Sequence, residues 1–445
     1  MSGSRARQRC VDIVGAGISG LATAHYLAQA APDVHLRIWE RDLHPGGLAG
    51  SFTTAHYTVE KFYHHLFRRD VALQELIAEH GLGADLRWRP ARTGAYYKQR
   101  PYGLSSPLEL LRYRPLPLLD RMRLGMLVLR ARRVKDWESL DDLSVEDFIV
   151  QSAGRRVHDI VWRPLLQGKF GVEADHISAA WLWSKLVDRG GSRDKAGREY
   201  LGYLAGGLGR LFDAMVDRLR AAGHEVHLGA SVRALIGDER GIRGLDTDRG
   251  RFETDAVVSG AQVPDLVRLL PAAAASYRAQ LERIGFLGNV CLVLTMRESL
   301  SQFYWTNSVH PDAPFVGIIE QTRWATLNEF QEKHVAYISS YAPTTDPRFE
   351  MSAEAIFDSY LPAIRQMFPQ FTPAIVESVH KWTAAYAQPI VRVGYRRIVP
   401  EVQSPVPNLF VCTMAQIYPQ DRQVSNGVEL ARRTAVAVAG WLGAA

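Results

Sequence analysis

Three glycines near the amino terminus constrain the fold of this chain more than any other sequence feature. Gly15, Gly17 and Gly20 follow an apolar run at residues 11–14 and precede an Ala- and Leu-rich segment at residues 18–30. A strand, a glycine turn and a helix in this order begin a Rossmann-type β-α-β unit. Gly15 permits the tight turn, Gly17 lets backbone approach a pyrophosphate, and Gly20 lets helix and strand pack closely. The segment therefore predicts an α/β domain that binds a dinucleotide.

The start of the helix and the end of the next strand supply further groups that a dinucleotide needs. At Ile18 and Ser19, the first turn offers free N–H groups and the positive end of the helix dipole to the phosphates. Glu40 ends a second predicted strand at residues 35–39, 25 positions after Gly15. A carboxylate there can accept both hydroxyls of the adenosine ribose and would repel a 2′-phosphate. These groups predict an adenine dinucleotide without that phosphate.

The segment that follows Glu40 points to one dinucleotide. It reads Glu-Arg-Asp-Leu-His-Pro-Gly-Gly-Leu-Ala-Gly-Ser, and it resembles the extension after the second strand in flavoproteins of the amine oxidase, phytoene desaturase and protoporphyrinogen oxidase group. The resemblance implies FAD. Gly46 and Gly47 would let the chain pass the pyrophosphate, Arg41 would neutralise it, and Leu48 belongs to the same cofactor-binding segment. The alternative is a plain Pro-Gly-Gly turn.

Two later segments support FAD through the same resemblance. Residues 206–228 read as a glycine loop, a helix and a strand, and Val232 takes the position whose backbone meets the adenine in this group. The tail has a strand at residues 409–412, a polar loop and a long helix whose N-terminus would face the flavin pyrimidine. That placement would stabilise negative charge on the reduced ring. The expected contacts in the tail are Met414, Ser425, Asn426 and Val428.

Two features of the tail bear on how it would contact FAD. Met414 and Ala415 stand where the group usually has Gly-Asp, so the helix start is a safer expectation than any single side chain. Cys412 belongs to the apolar strand, and no cysteine occurs in the loop after it. We therefore expect FAD to be held without a covalent bond.

A chain of 445 residues is too long for one ordinary core, and its α/β segments are separated by other material. The expected fold is α/β with a discontinuous Rossmann-type FAD-binding domain at residues 1–70, 200–265 and 395–445. A substrate-binding domain of helices and mostly antiparallel sheet would occupy residues 71–199 and 266–394. Residues 70–200 read as mostly helical, with proline-rich breaks.

Composition excludes several classes of protein. Three scattered cysteines argue against a disulfide framework or a metal site and favour a reduced, cytoplasmic setting. No uninterrupted apolar run is long enough to span a membrane. The net charge of +6 is modest and does not indicate nucleic-acid binding. The densest basic stretch, residues 112–133, reads as an amphipathic helix with a solvated basic face, or else as a site for anionic ligands or peripheral membrane contact. The expected partner is a small-molecule substrate, and the oligomeric state stays open.

Four residues are candidates for catalysis. The segment around His64 and His65 resembles the histidine-containing segment of UDP-galactopyranose mutase that lies against the flavin. If this segment is a strand, alternation sends only one imidazole inward, and we favour His65 because Tyr63 would share its face. Arg392 and Tyr418 belong to segments that should approach the isoalloxazine.

Two reactions fit this sequence. The first is removal of a hydride from a small organic substrate, such as a sugar- or amine-containing metabolite, by an FAD-dependent oxidase or dehydrogenase. The second is a redox-neutral sugar isomerase or mutase, favoured by the His64–His65 segment and by a stretch near Lys169. Motifs report the cofactor, whereas pocket shape decides the substrate. The choice between the reactions therefore stays open at this point.

Overall fold

The chain is organised around one parallel sheet and one mostly antiparallel sheet, seen in a computed structural model that describes residues 8–97, 100–190, 198–308 and 313–443. The strands are β1 (Cys10–Val14), β2 (His35–Glu40), β3 (Ser51–Thr53), β4 (Thr58–Glu60), β5 (Leu66–Phe67), β6 (Leu86–Pro90), β7 (Thr93–Tyr97), β8 (Arg100–Gly103), β9 (Tyr200–Leu204), β10 (Glu225–Leu228), β11 (Val232–Asp238), β12 (Gly241–Thr247), β13 (Gly250–Glu253), β14 (Ala256–Ser259), β15 (Phe286–Met296), β16 (Trp305–Ser308), β17 (Gly317–Glu320), β18 (His334–Ala342), β19 (Val376–Pro389) and β20 (Leu409–Val411). The helices are α1 (Ile18–Ala30), α2 (Val71–Glu79), α3 (Pro107–Leu111), α4 (Leu118–Ala131), α5 (Val145–Ala153), α6 (Arg155–Val157), α7 (Arg163–Phe170), α8 (Ala179–Gly190), α9 (Gly209–Ala221), α10 (Val263–Leu269), α11 (Ala275–Leu281), α12 (Ala353–Met367) and α13 (Val424–Trp441).

The parallel sheet has the strand order β10-β2-β1-β14-β20. Its central strand β1 is buried along its whole length, as expected where helices cover both faces of a parallel sheet. The carboxyl ends of β1, β2, β14 and β20 meet at one edge, where ligands of such sheets bind. These strands come from the three segments that sequence assigned to the FAD-binding domain.

The second sheet has the order β19-β15-β18-β17-β16-β7-β8. Its neighbours are antiparallel except for β16 and β7, which run parallel. One face packs against α12 through a core that includes Leu292, Ile338 and Tyr360. The division of these elements into two separate domains remains our proposal.

The expectation that residues 70–200 are mostly helical is wrong for residues 86–103. That stretch forms β6, β7 and β8, and each of the first two pairs with a strand far along the chain. β6 pairs with β9, and β7 pairs with β16. Short strands whose partners are this distant leave little local signal, because their stability comes from tertiary pairing.

The arginine-rich stretch forms α4, but its outer face differs from the expected basic one. Leu124, Leu127 and Ala131 are buried against the core. The side turned away from the core carries exposed leucines and methionines, with arginines beside them. Within the part of the chain that the structure describes, none of the helices is long and apolar enough to cross a membrane.

Candidate active site

The glycine turn after β1 has the geometry that the sequence predicts for a phosphate-binding loop. Gly15 has a φ of 99°, and its N–H donates to the Trp39 carbonyl at 2.7 Å, which fixes the turn against β2. A Cβ on Gly20 would lie 1.9 Å from the Gly15 carbonyl oxygen, so α1 packs directly on the turn. A Cβ on Gly17 would meet nothing within 4 Å. The space above Gly17 is therefore open for a ligand.

Glu40 is buried at the end of β2 and faces this loop. Its Oε2 accepts the Ala16 N–H at 2.7 Å, and its Oε1 accepts the Asp42 N–H at 3.0 Å. Burial raises the pKa of the Glu40 carboxyl above its usual range, although both N–H donors oppose the rise. Each carboxylate oxygen has a second lone pair, so the group can still accept hydroxyls. Glu40 is thus placed to bind a ribose.

The Pro-Gly-Gly segment crosses directly over Gly17. Gly46 has a φ of 112°, and its N–H donates to the Ala16 carbonyl at 2.8 Å. A Cβ on Gly47 would lie 3.5 Å from the Gly17 Cα. Leu48 is half-buried beside this crossing. The segment therefore forms the second wall of a cradle with the glycine turn.

Arg41 and Val232 lie farther along the same edge. Arg41 points outward, is 68% exposed, and lies 3.9 Å from the Asp265 carboxylate. The Ala230 N–H donates to the Glu40 carbonyl at 2.7 Å, so the chain leading to Val232 runs beside the end of β2. Val232 then begins β11. This course agrees with an adenine position between Glu40 and Val232.

The start of α13 lies against the start of α1. Ser19 Oγ lies 4.0 Å from the Met414 sulfur. Gln423 occupies the N-cap position of α13, but its side chain forms no hydrogen bond to the helix. Its Oε1 has no partner among the described residues. The first N–H groups of a helix have no intrahelical partner. Two helix N-termini with such groups therefore converge on this edge of the sheet.

The remaining predicted contacts in the tail belong to the first turn of α13. Ser425 Oγ accepts the Leu73 N–H at 3.3 Å, and Asn426 Nδ2 donates to the Asp421 carbonyl at 2.8 Å. Val428 is buried. The side chains of Ser425 and Asn426 thus hold the helix start in place and leave its backbone N–H groups to a ligand.

These features fit FAD. The open cradle at Gly17 accommodates a pyrophosphate, Glu40 accommodates the ribose, and the uncapped start of α13 suits the flavin pyrimidine. Gly17, Ile18 and Ser19 would lie against the phosphates, whereas Gly15 forms the turn and Gly20 lets α1 pack on it.

A cluster of cations surrounds one carboxylate just before α13. Asp421 forms ion pairs with Lys185 and, at 3.6 Å, with Lys169. Arg422 donates to Gln388 Oε1 at 2.8 Å, while its buried Nε has no partner among the described residues. Despite the opposing effect of burial, these cations hold the pKa of Asp421 well below its usual range. Three basic side chains thus lie around this carboxylate.

The surroundings of Lys169 are aromatic. Its ammonium lies 5.0 Å from the Trp181 ring centre and 5.8 Å from that of Tyr341. Burial lowers the pKa of Lys169, although Asp421 partly offsets this. By contrast, Arg163, a basic residue six positions earlier at the start of α7, is exposed. Lys169 therefore belongs to the cluster, and Arg163 does not.

The segment around the two histidines is not a strand. Strand β4 ends at Glu60, β5 begins at Leu66, and the residues between them form a bend followed by coil. The alternation argument for His65 is therefore wrong, because pleat alternation applies only within a strand. The cause is local, since His64 Nδ1 bonds to the Phe62 carbonyl at 2.7 Å.

The two imidazoles have different environments. The Nδ1 of His64 must carry the proton that it donates to Phe62, which leaves Nε2 as an acceptor in the neutral ring. Burial lowers the pKa of His64 to about 4, and the positive charge of Arg422 adds to this effect. His65 Nδ1 lies 3.2 Å from the Tyr304 hydroxyl, and its ring packs edge-on against Phe67. His64 is thus linked electrostatically to the cation cluster through Arg422.

Arg392 and Tyr418 are engaged with protein groups. Arg392 forms a two-pronged ion pair with Glu173, with both distances 2.8 Å, and its side chain is 41% exposed. The Tyr418 hydroxyl donates to Asp141 and bonds to Ser178 Oγ at 2.7 Å. Their catalytic roles stay predictions, and these contacts favour a role in positioning the chain.

The neutral state of His64 leads to a prediction about stability. Its pKa of about 4 lies below the 6.5 of an unfolded histidine, so the unfolded chain binds more protons at low pH. The contribution of His64 to stability is therefore complete above pH 6.5 and declines as pH falls toward 4. At pH 5 the loss should be about 2 kcal/mol.

Urea unfolding of the flavin-loaded protein near pH 7.5 and near pH 5 checks this. The His64→Gln variant should lose about 2 kcal/mol less than the wild type between these two pH values. The control is His176→Gln, because the side chain of His176 is exposed. Equal pH dependence in wild type and His64→Gln would contradict the prediction.

Taken together, the fold and the cradle define a Rossmann-type protein that binds an adenine dinucleotide. The model of the flavin-containing amine oxidoreductase family matches residues 18–439, and the chain belongs to that family. The predicted α/β fold, the FAD cofactor and the assignment as an FAD-dependent oxidoreductase are thereby confirmed.

Similar sequences include two coproporphyrinogen III oxidases. The enzyme of Mycobacterium tuberculosis is 29% identical over 298 residues, which cover 62% of this chain and 64% of that protein. The enzyme of Staphylococcus aureus is 27% identical over 183 residues, 38% of each chain. The matched regions thus span less than two thirds of these relatives.

Solved structures with the same fold cover nearly the whole chain. A protein from Exiguobacterium, provisionally described as a protoporphyrinogen oxidase, superposes with a TM-score of 0.76 at 17% identity, covering 97% of this chain and 98% of that one. Reduced UDP-galactopyranose mutase gives 0.73 at 15% identity, covering 98% and 96%. Identities this low establish the fold alone.

Sequence reasoning missed several residues of this site. Asp421 and Lys185 were not singled out, although Trp181 and Lys185 are four positions apart and share one face of α8. Glu60 and Ser51 were also missed. Glu60 accepts the Leu208 N–H at 2.8 Å, and Ser51 Oγ accepts the Gly209 N–H at 2.9 Å, so together they hold the start of α9. Only the pairing of distant segments reveals these contacts.

Proposed function

We propose that this protein uses FAD to remove a hydride from an organic substrate that carries an anionic group. Arg422 and Lys169 would hold that group beside His64. The observation that carries the proposal is the cation cluster, in which Lys169, Lys185 and Arg422 surround the carboxylate of Asp421 and the Arg422 Nε has no partner among the described residues.

The cluster is suited to bind an anion because one of its buried donors, the Arg422 Nε, has no partner among the described residues. A buried donor without a partner costs about 1–3 kcal/mol, and Arg422 has such a donor in its Nε. A carboxylate from a substrate would supply the missing acceptor and reduce the repulsion among the cations. Arg422 follows Asp421 directly and precedes α13, so an anion bound there would lie close to the flavin site.

His64 would take up the proton that the reaction releases. When bound, FAD would supply the acceptor for one hydride, which carries the two electrons of the oxidation. Formation of a C=N or C=C bond also releases one proton, and a general base must accept it. The Nε2 of His64 has the free lone pair for this role, and its pKa of about 4 keeps the ring neutral at neutral pH.

The relatives supply a set of substrates that differ in charge. Coproporphyrinogen III carries carboxylates, phytoene is an uncharged hydrocarbon, and putrescine is a cation at neutral pH. The cation cluster favours the carboxylate among these three. The test is anaerobic: each compound is mixed with the flavin-loaded protein, and flavin bleaching is followed by absorbance. Bleaching by carboxylated compounds alone supports the proposal, whereas bleaching by putrescine alone overturns it.

The same cations also fit a sugar nucleotide, because its diphosphate is anionic. This favours a redox-neutral mutase as the second candidate function. The two candidates differ in the flavin state that they require. Turnover of a sugar nucleotide only after reduction with dithionite, without bleaching by any substrate, would support the mutase.

Removing the charge of Arg422 should weaken binding of the substrate. For an anionic substrate, we expect Arg422→Gln to raise KM at least about tenfold, since charge-assisted hydrogen bonds contribute about 1.5–3 kcal/mol. Steady-state kinetics measure this, with Arg163→Gln as the control because Arg163 is exposed. An unchanged KM in Arg422→Gln, with FAD still bound, would contradict the anion site.

A further inference from the structure

An exposed apolar surface lies on α3 and α4. Fourteen large hydrophobic side chains are exposed among the described residues, and seven of them fall between positions 108 and 129. These seven are Leu108, Leu111, Leu118, Leu119, Met122, Met126 and Leu129, and their exposed fractions range from 46% to 69%. We call them the apolar stripe. A concentration of this kind marks a surface for docking.

The stripe follows one side of α4. With about 100° between successive residues of a helix, its five members on α4 fall within about 100° of arc. The buried residues Leu124, Leu127 and Ala131 occupy the opposite side. Helix α4 is therefore apolar toward the core and apolar toward the outside.

Arginines occupy both margins of the stripe. On the helical arc, Arg123 and Arg130 follow one edge, and Arg121 and Arg132 follow the other. Residues 108–133 contain seven arginines and only two acidic residues. Both acids are already paired, Asp120 with Arg123 and Glu109 with Arg92. The outer surface is thus apolar at its centre and positive at its edges.

A basic cleft lies next to the stripe. It has a volume of about 540 Å³ and is lined by Arg100, Pro101, Tyr102, Leu111, Arg112, Arg114 and Arg121. The side chains of Arg112 and Arg114 form no ion pair with the residues that the structure describes, and Arg121 donates only to backbone carbonyls. Leu111 belongs to both the cleft and the stripe. Anionic groups in the cleft would therefore lie at the level of the exposed leucines.

We propose that this surface docks on a bilayer that contains anionic phospholipids. The leucines and methionines would enter the boundary between headgroups and acyl chains, and the arginines would bind headgroup phosphates. A second copy of this chain fits less well, because its own arginine margins would face these. The proposal is independent of the substrate assigned above.

Flotation of the flavin-loaded protein with vesicles tests the proposal. We expect binding to mixed phosphatidylcholine and phosphatidylglycerol vesicles, and at least about tenfold less binding to phosphatidylcholine alone. Two multiple variants should each reduce binding to the mixed vesicles about tenfold or more. The first is a triple variant that carries Leu119→Ser, Met122→Ser and Met126→Ser. The second is a double variant that carries Arg112→Gln and Arg114→Gln. The control is Val436→Ser, since Val436 is 69% exposed on α13.

A second measurement reports insertion directly. Cys10, Cys291 and Cys412 are buried, so an environment-sensitive dye will react at an introduced Met126→Cys. Its emission should shift to the blue with mixed vesicles, while a dye at Val436→Cys should not respond. Absence of binding to mixed vesicles would overturn the proposal. So would a stripe variant that binds normally, or dimerisation of the wild type that the stripe variant abolishes. Saturable binding of free glycerol phosphate that depends on Arg112 and Arg114, without binding to vesicles, would overturn the proposal and show a site for small soluble anions instead.

Discussion

Replacing Gly17 by valine is expected to give a folded protein that purifies without flavin. A Cβ at Gly17 meets no protein atom within 4 Å, and its φ of −76° suits any residue, so the chain should fold normally. The added side chain would instead fill the cradle between the glycine turn and Gly47, where the pyrophosphate must pass. We expect FAD affinity to fall at least about hundredfold, or about 3 kcal/mol. Absorbance near the flavin bands, together with the melting temperature after adding FAD, measures the loss.

Two other glycines provide controls for this result. Gly440 is also open, with no atom within 4 Å of a built Cβ, so Gly440→Val should retain its flavin. Gly20→Ala should instead impair folding, because its Cβ would lie 1.9 Å from the Gly15 carbonyl oxygen and would separate α1 from the turn. We therefore expect poor folding for Gly20→Ala. Full flavin occupancy in Gly17→Val would mean that the pyrophosphate takes another path.

Replacing His64 by glutamine should slow flavin reduction by substrate about hundredfold while FAD stays bound. A positioned general base typically contributes this much, and glutamine preserves the size of the side chain without accepting the proton. In the wild type, titration of His64 should not change the rate of flavin reduction until the pH falls toward the His64 pKa of about 4. Stopped-flow reduction under anaerobic conditions, with a substrate found by the bleaching screen, measures both.

The matched control is the neighbouring histidine. His65→Gln removes an imidazole that contacts Tyr304 and Phe67, so it should affect stability more than the rate of flavin reduction. A large rate effect in His65→Gln with none in His64→Gln would reverse the assignment. Wild-type rates in both variants would show that neither imidazole acts as the base.

The helices and strands around the cofactor cradle could be predicted closely from sequence. The α1 helix begins at Ile18 and ends at Ala30, as the apolar pattern predicts, and Glu40 ends β2. These features are local, because a strand, a turn and a helix in succession fix the geometry of the glycines between them. The start of α13 is likewise within one residue of the expected Ser425.

The histidine segment shows where local patterns fail. A strand was one interpretation of the segment around His64, but residues 61–65 have no partner strand in the structure described here, and the Phe62 carbonyl binds His64 instead. Strand formation depends on pairing, which a short segment cannot specify alone. The choice of His65 over His64 was therefore beyond what the sequence could decide.

The sequence by itself determined the cofactor and the type of fold, because both rest on neighbours in the chain. Only the tertiary structure brought Lys169 and Lys185 to Asp421 and Arg422, across more than two hundred residues. The same is true of the outer face of α4, whose leucines the sequence alone could have assigned to the core. Burial and charge pairing between distant segments are properties of the folded chain, and they decide which side chains meet a substrate or a surface.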